Sequence, residues 1–356
     1  MSRRDRLIVA AGGASLTAWL VVSLCLPPVR LPWIPERLEA AQIMDEAVGA
    51  VRSHCETRNI AIDERIDPNR TGLIGPELTP LMTTLGDVAA KRTTTTPDMA
   101  ALVLYLLRTA GVAAGDTVAV GASASFPALL AAVLAACSAG GIHPVVIISL
   151  GASSFGATRP ELTLLDLCRI WREAGIFPHL PVAVTLGGTG DVGREFPDGV
   201  RAELGERIGR SSLATFACDD LETNVRRRLR IYADAAPRLA AFVNIGGSWA
   251  NLGTSHLALR LEPGLNSPNG LTLPPPQQRG VLFAMAARGV PVIHLLFIRG
   301  LARRHGLAWD PVPLPAPGST PLLSGVSEQG VLFWFVTVIW LAIMGGLILV
   351  DRPSRN

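Results

Sequence analysis

The sequence predicts an α/β domain built on a mainly parallel, doubly wound (Rossmann-like) sheet, flanked by one transmembrane helix at each terminus. Short strands that are apolar throughout alternate with helical segments, as expected for a parallel sheet that is covered on both faces. A loop rich in glycine and serine follows four of these strands. Two long uncharged segments near the chain ends have the length that a membrane crossing needs. With 49% hydrophobic residues and a net charge of only +3 in 356 residues, the composition excludes a disordered protein.

The two chain ends carry the predicted membrane segments. Residues 1–29 are predicted to form an N-terminal transmembrane anchor, and residues 330–350 a C-terminal transmembrane helix that is followed by a cytoplasmic tail, 351–356. The positive-inside rule places both termini in the cytoplasm and the main domain outside a cell membrane, whether inner or plasma membrane. The arginines on which this orientation depends are Arg3, Arg4, Arg6, Arg352 and Arg355.

The chain between these segments divides into three parts. Residues 30–70 are predicted to form an amphipathic helix and a linker, residues 71–310 the extracytoplasmic α/β domain, and residues 311–329 a proline-rich linker. Residues 263–278, rich in proline, glycine and asparagine, are predicted to form a surface loop. The predicted strands cover 117–120, 144–150, 182–186 and 241–244, the predicted helices cover 36–57, 97–111, 127–139, 162–174, 200–209 and 221–235, and a further helix and strand follow over 281–298.

The glycine- and serine-rich loops are the main candidate site. Because parallel strands present their carboxyl ends at one edge of the sheet, these loops are expected to lie together where open α/β sheets bind ligands. Glycines permit close backbone approach, and backbone N–H groups at helix starts attract anions. No loop matches a P-loop or a complete dinucleotide fingerprint. The residues predicted to bind a ligand are Lys91, Arg92, Gly121, Ser123, Ser125, Ser153, Ser154, Gly187, Gly188, Gly246, Gly247, Ser248 and Asn251.

A serine nucleophile is the catalytic alternative at the same edge. Ser125 or Ser123 follows the first strand, and Asp191 could orient a base. The base would come from His143, His256 or His294, of which His256 follows the fourth loop and could reach this edge. The hydrolase elbow GxSxG is incomplete there, since its second glycine is missing. Ser125 could instead cap the helix that begins near Pro127.

Lys91 is the only lysine among 32 basic residues. A lysine kept where arginine is otherwise used could supply a compact or titratable charge that a guanidinium cannot mimic. With Arg92 and the threonines 93–96, Lys91 could clamp an anionic ligand, although its survival on a solvated loop by chance is an equally open interpretation.

The spacing of the cysteines and the positions of the arginines argue against a metal site and against nucleic acid as a partner. No cofactor and no metal are predicted, because no spacing typical of a cysteine or histidine metal site occurs. Cys137 and Cys168 lie in apolar helical segments and are predicted to be buried free thiols. The arginines at 226–228 and Arg230 share one helix and predict a solvated face. Nucleic acid is not an expected partner, because the domain is predicted to lie outside the membrane.

Several motifs resemble the poly-γ-glutamate system protein family, in the same order over roughly residues 40–315. The resemblance implies a membrane protein that works with the machinery making and exporting poly-γ-glutamate, a polyanionic extracellular polymer. It carries no catalytic residues over to this chain. The family pattern favours Ser-Gly-Ser in the first loop, whereas this chain has Ser123-Ala124-Ser125. The matching segments are 71–80 (TGLIGPELTP), 83–86, 90–93, 115–121, 125–129, 151–153, 244–248 and 306–311.

Three functions are therefore expected of the sequence. The first is a membrane-anchored accessory protein of poly-γ-glutamate (capsule or exopolymer) synthesis or export, whose loop edge binds the polymer or a γ-glutamyl end. The second is a γ-glutamyl hydrolase or transferase with a serine nucleophile. The third is a structural scaffold for the synthase complex. The expected partners are the polymer or a γ-glutamyl oligomer, membrane-embedded synthase or export subunits, and the lipid bilayer.

Overall fold

The computed structural model describes residues 32–178, 181–211, 213–216 and 220–324, together with isolated residues near each end of the chain. Contacts group the chain into two units, of which residues 33–323 form one. Residues 1–32 and 324–356 form the other, and most of these lie outside the described residues.

A seven-stranded sheet organises the unit of residues 33–323. Six of its strands are parallel, and one edge strand runs antiparallel. Two further short strands pair with each other in a separate parallel ribbon. In chain order the strands are β1 Met82–Thr84, β2 Thr117–Ser123, β3 His143–Ser149, β4 Ala152–Ser153, β5 Ala183–Thr185, β6 Ala214–Thr215, β7 Ala241–Ile245, β8 Gly264–Asn266 and β9 Val292–Leu295.

The strand order contains one reversal of direction. The sheet runs β6-β5-β3-β2-β7-β9-β8, so the chain winds outward from β2 to β6 and then returns to the other side of β2. The loops that follow β2 and β7 therefore diverge at the carboxyl edge, where open α/β sheets form their ligand crevice.

Helices cover both faces of the sheet, as the alternation of side chains along the strands requires. Val118 and Val120 of β2 join one hydrophobic core, and Ala119 between them joins the other. The first core is completed mainly by α1, α3, α4 and α5, and the second by α7 and α9. The helices are α1 Ile34–Thr57, α2 Val88–Thr93, α3 Asp98–Thr109, α4 Pro127–Ala139, α5 Leu164–Glu173, α6 Asp198–Gly209, α7 Leu221–Ala235, α8 Trp249–Leu252, α9 Val281–Ala286, α10 Ile298–His305 and α11 Pro321–Ser324.

The α/β class with a mostly parallel sheet agrees with the sequence-based prediction, whereas its predicted transmembrane helices need correction. No helix among the described residues is long and apolar enough to cross a membrane. The longest of them, α1, has 24 residues but carries charged side chains along its length. This finding overturns the predicted helix at each terminus and the two-span membrane localisation derived from it. The segments 7–27 and 330–350 lie mostly outside the described residues.

The carboxyl-terminal part of the described chain is tied to the domain. The carboxylate of Asp98, on α3, is fully buried and accepts hydrogen bonds from Gly318 N at 2.7 Å and Thr320 N at 3.0 Å. The proline-rich segment 311–329, predicted to be a linker, therefore packs on the domain at Gly318 and Thr320. The predicted surface loop at 263–278 likewise contains β8, which pairs with β9.

Candidate functional site

A cleft of about 770 Å³ opens at the carboxyl edge of the sheet, beside the point where the strand order reverses. The loops after β2, β3, β5 and β7 form its floor and one side, and the segment 83–91 and the start of α10 form the rest. The lining residues from the strand ends and these loops are Ser123, Ser125, Phe126, Ser149, Gly151, Ser153, Gly187, Gly188, Thr189, Glu195, Gly247, Ser248 and Trp249.

Lys91 lies in the floor of this cleft. Its residue is 2% exposed, and its Nζ donates to Ser153 Oγ at 2.6 Å and to the backbone carbonyl of Ser125. The ammonium also lies 3.7 Å from the ring centroid of Phe126, which is a cation–π contact. No carboxylate lies within 4.0 Å of Nζ among the described residues. A buried cation with neutral partners alone is unusual, because burial of a charge normally requires a counter-ion.

The environment of Lys91 changes its ionisation. Burial lowers the pKa of its ammonium from 10.5 to about 7, and the negative charge of Asp87 opposes this shift only in part. Near neutral pH the side chain is therefore divided between the charged and the neutral form.

Two serines lie against Lys91, and the small parallel ribbon positions one of them, Ser153. Pairing of β1 with β4 places Ser153 beside the segment that leads into α2, which carries Lys91. The backbone N–H of Ser153 donates to Ser125 Oγ at 3.0 Å, so the two loops are cross-linked at the cleft floor. Ser123 lies deeper, and its hydroxyl donates to the carbonyl of Ile245 at 3.4 Å. Ser125 precedes the N-cap of α4, Phe126, and does not cap the helix.

The carboxylates beside the cleft accept hydrogen bonds from their own loops, whereas an arginine beside it has no carboxylate partner among the described residues. Asp87 caps α2 by accepting from Ala89 N at 2.9 Å. Glu195 accepts from Thr189 N at 2.9 Å and from the Thr189 hydroxyl. Arg299, on α10, stacks with its Cζ 4.6 Å from the ring centroid of Trp309. Within the described part of the chain it has no carboxylate partner, so its guanidinium donors are free to face a ligand.

Glycines allow the loops to approach one another closely. A Cβ on Gly86 would lie 2.5 Å from Ser154 O, 3.1 Å from Ser153 Oγ and 3.2 Å from Lys91 Cε. Gly187 adopts a positive φ of 78°, which only glycine takes without strain, directly after β5. The cleft floor around Lys91 therefore has no room for a side chain at Gly86.

Gly86→Ala is expected to destabilise the protein by about 1–3 kcal/mol, because the clash with the Ser154 carbonyl forces the backbone apart. The measurement is urea unfolding of the full-length chain. Gly199→Ala on α6 is the matched control, since its Cβ would meet open space and alanine favours a helix by about 0.5–1 kcal/mol. Equal effects of the two substitutions would show that close packing at Gly86 is not needed.

Eight of the residues predicted to bind a ligand line this cleft. The other five do not line it. Arg92 forms a two-bond ion pair with Asp310, at 2.6 and 2.5 Å. Ser154 is fully buried and donates to Met82 Sδ at 3.1 Å. The eight lining residues are Lys91, Ser123, Ser125, Ser153, Gly187, Gly188, Gly247 and Ser248.

Three further predicted ligand residues do not line the cleft and lie at closely packed positions beside it. Gly121 lies within β2, where a Cβ would come 2.6 Å from the side-chain amide of Asn251. The amide of Asn251 is buried and has no hydrogen-bond partner among the described residues. Gly246 turns the chain after β7 with a φ of 78°, and a Cβ there would collide with the Ser123 hydroxyl.

The predicted catalytic arrangement of Ser125 or Ser123 with His256 and Asp191 is not assembled. His256 is exposed on a short 3-10 helix, His256–Arg260, and does not line the cleft. Asp191 is 2% exposed and pairs with Arg228 of α7 at 2.8 Å. Its carboxylate supports the loop that follows β5 instead of orienting a histidine.

Sequence reasoning missed the second side of the cleft. Arg299, Trp309 and Phe297 come from the segment after β9, and nothing in their spacing connects them with the glycine- and serine-rich loops. The only available signal was Trp309, which lies in the segment 306–311 that matches the family pattern.

The described residues offer neither a reactive cysteine nor a metal site. Cys55, Cys137 and Cys168 are buried free thiols, and burial raises the pKa of Cys137 and of Cys168 to about 12, so neither is a reactive thiolate. Within the described ranges, no group of three or more His, Cys, Asp or Glu residues could hold a metal ion.

Comparison with known proteins adds no relative from which a function could be transferred. No protein-family model, no curated protein and no solved structure matches this chain. Its function is therefore inferred from the cleft and from the motif resemblance.

Proposed function

We propose that this chain binds an anionic γ-glutamyl chain in its cleft and acts as an accessory protein of poly-γ-glutamate synthesis or export. The motif resemblance supports the choice of polymer. The observation that carries the proposal is that Lys91 and Arg299 both line the cleft without a carboxylate partner among the described residues.

The acidic side chains of the cleft do not neutralise these two cations. Asp87 and Glu195 are hydrogen-bonded to backbone N–H groups of their own loops. An anionic ligand would supply the missing counter-charge, and the hydrogen-bond donors of Arg299 suit a carboxylate. A carboxylate near Lys91 would also favour the charged form that burial disfavours.

The shape and polarity of the cleft suit a chain with alternating carboxylates and methylene groups. Three exposed apolar side chains, Leu85, Trp249 and Phe297, stand among its lining residues. Poly-γ-glutamate carries a free α-carboxylate on every residue, separated by the methylenes of the main chain. The carboxylates can face the cations while the methylenes contact these apolar side chains.

Binding of fluorescent γ-glutamate oligomers to the full-length chain tests this proposal. We expect salt-sensitive binding, because charge attraction is screened, and we expect Arg299→Met to weaken it by about tenfold, equivalent to about 1.4 kcal/mol. Arg210→Met is the matched control, since Arg210 is an exposed arginine outside the cleft. No binding by the wild type, or equal binding by the two variants, would contradict the proposal.

A further inference from the structure

The geometry points to Ser153 and Lys91 as a serine–lysine pair that cleaves or transfers γ-glutamyl amides, with Ser153 as the nucleophile. The inference rests on the proposed function for its substrate, but its choice of nucleophile and base rests on contacts within the chain alone.

The contact between the two side chains is direct. Lys91 Nζ lies 2.6 Å from Ser153 Oγ, which is the distance required for proton transfer between a nucleophile and its base. Both residues line the cleft, although each is buried, at 2% and 7% exposure. A substrate carbonyl entering from the cleft therefore meets Ser153 with the base already in place.

The surroundings of Lys91 suit a base better than a structural cation. A lysine that serves only structure is normally charged and paired, whereas this one has a carbonyl, a hydroxyl and the Phe126 ring around it. Burial lowers its pKa to about 7, so much of it is neutral near neutral pH. The charged groups that line the same cleft are Asp87, Glu195 and Arg299, of which Asp87 raises this pKa.

Ser125 acts as a positioning residue in this arrangement. Its Oγ accepts the backbone N–H of Ser153 at 3.0 Å, and its carbonyl accepts from Lys91 Nζ. Both partners of the pair are thus held by one residue of the β2 loop. Among the residues that the structure describes, no histidine lines the cleft, which leaves Lys91 as the base in contact with a serine.

The reaction balances without a cofactor. The neutral fraction of Lys91, which a bound carboxylate reduces and a rise in pH restores, takes the hydroxyl proton of Ser153 while Oγ bonds to the γ-carbonyl carbon. The carbon–nitrogen bond then breaks, and the ammonium of Lys91 protonates the departing amine, which leaves a γ-glutamyl ester on Ser153. Water, or the amine of another chain, attacks this ester. Lys91 takes the proton of the attacking group and returns it to Ser153 Oγ.

A fluorophosphonate probe tests the pair without any γ-glutamyl substrate. The full-length chain is incubated with the uncharged probe, and the modified peptide is identified by mass spectrometry. We expect phosphonylation of Ser153 with loss of fluoride, at a rate that rises with pH through about 7. Lys91→Met is expected to slow it by about 10²–10⁴-fold, as loss of a general base does.

Two further variants separate a catalytic from a structural role. Lys91→Arg keeps the positive charge but cannot release its proton, so it should also lose the labelling. Ser138→Ala, at an exposed serine of α4, is the control and should be labelled as the wild type is. Labelling at Ser125, labelling of no serine, or a rate independent of pH and of Lys91 would overturn the inference.

Cleavage or extension of γ-glutamate oligomers is measured in a separate experiment. Incubation with γ-glutamate oligomers should shorten or extend them in the wild type and not in Ser153→Ala, which should still bind them. Binding without labelling of Ser153 would refute the pair and leave the proposed function standing. Labelling of Ser153 without oligomer binding would refute the proposed function and leave the pair standing.

Discussion

Lys91→Met is expected to make the protein more stable at about pH 6, although it removes a charge that the proposed ligand binding uses. In the folded chain the pKa of Lys91 is about 7, and in the unfolded chain it returns to its ordinary value of 10.5. The unfolded state therefore binds more protons between these two pH values, and the unfolding free energy of the wild type rises with pH across them. This difference corresponds to on the order of 5 kcal/mol.

The measurement is the difference in unfolding free energy between Lys91→Met and the wild type, by urea unfolding at a series of pH values. The stability advantage of the variant should be largest below about pH 7, where the full cost of burying the ammonium is present, and should shrink by several kcal/mol towards about pH 10. Arg210→Met, an exposed charge with a distant partner, should show no such trend. A difference that does not change with pH would refute the lowered pKa. If Lys91→Met is more stable than the wild type, Lys91 is retained for function at a cost in stability.

Arg228→Met is expected to destabilise the protein by about 3–5 kcal/mol, because it leaves the Asp191 carboxylate buried without a counter-charge. The side chains of Arg228 and Asp191 are 0% and 1% exposed, and Arg228 Nη2 lies 3.0 and 2.8 Å from the two carboxylate oxygens. Arg228 Nη2 also donates to Thr185 Oγ1 at 2.7 Å, at the end of β5. The pair thus fixes the loop that brings Gly187 and Gly188 to the cleft.

A control for this prediction lies on the same helix. Arg226 pairs with Glu222 on the exposed side of α7, so Arg226→Met should cost no more than about 0.5 kcal/mol. Urea unfolding of both variants gives the comparison. Adding Asp191→Asn to Arg228→Met should recover part of the loss, since it removes the uncompensated charge. Similar costs for the two arginine variants would show that the buried pair does not hold the loop.

The positions of the central strands could be predicted from the sequence. Apolar runs and glycine-rich loops predicted the strands at 117–120, 144–150 and 241–244, which agree with β2, β3 and β7 within a few residues. The strand order could not be predicted, because it depends on which apolar faces pack together. The strands β1 and β4 have three and two residues, too few for a periodic pattern. They are nevertheless the elements that bring Ser153 to Lys91.

The cleft was predicted on one side only. Lys91 stood out because it is the only lysine, and the serines stood out because they follow strands. Arg299 is one arginine among many, and only the folded chain places it on Trp309 opposite the loops. The partner of Asp191, Arg228, comes from a helix 37 residues later. Such tertiary pairings leave no local pattern.

Proton uptake on binding tests whether an anionic γ-glutamyl chain binds where it acts on the charge of Lys91. The measurement is calorimetric titration of γ-glutamate oligomers into the full-length chain, in two buffers of different ionisation enthalpy, at about pH 6 and about pH 8. Because Lys91 is mostly neutral at the higher pH and mostly charged at the lower, an anion that favours its charged form should cause proton uptake near pH 8 and little near pH 6. Binding that takes up no protons at about pH 8, or takes up the same number at both pH values, would contradict the account.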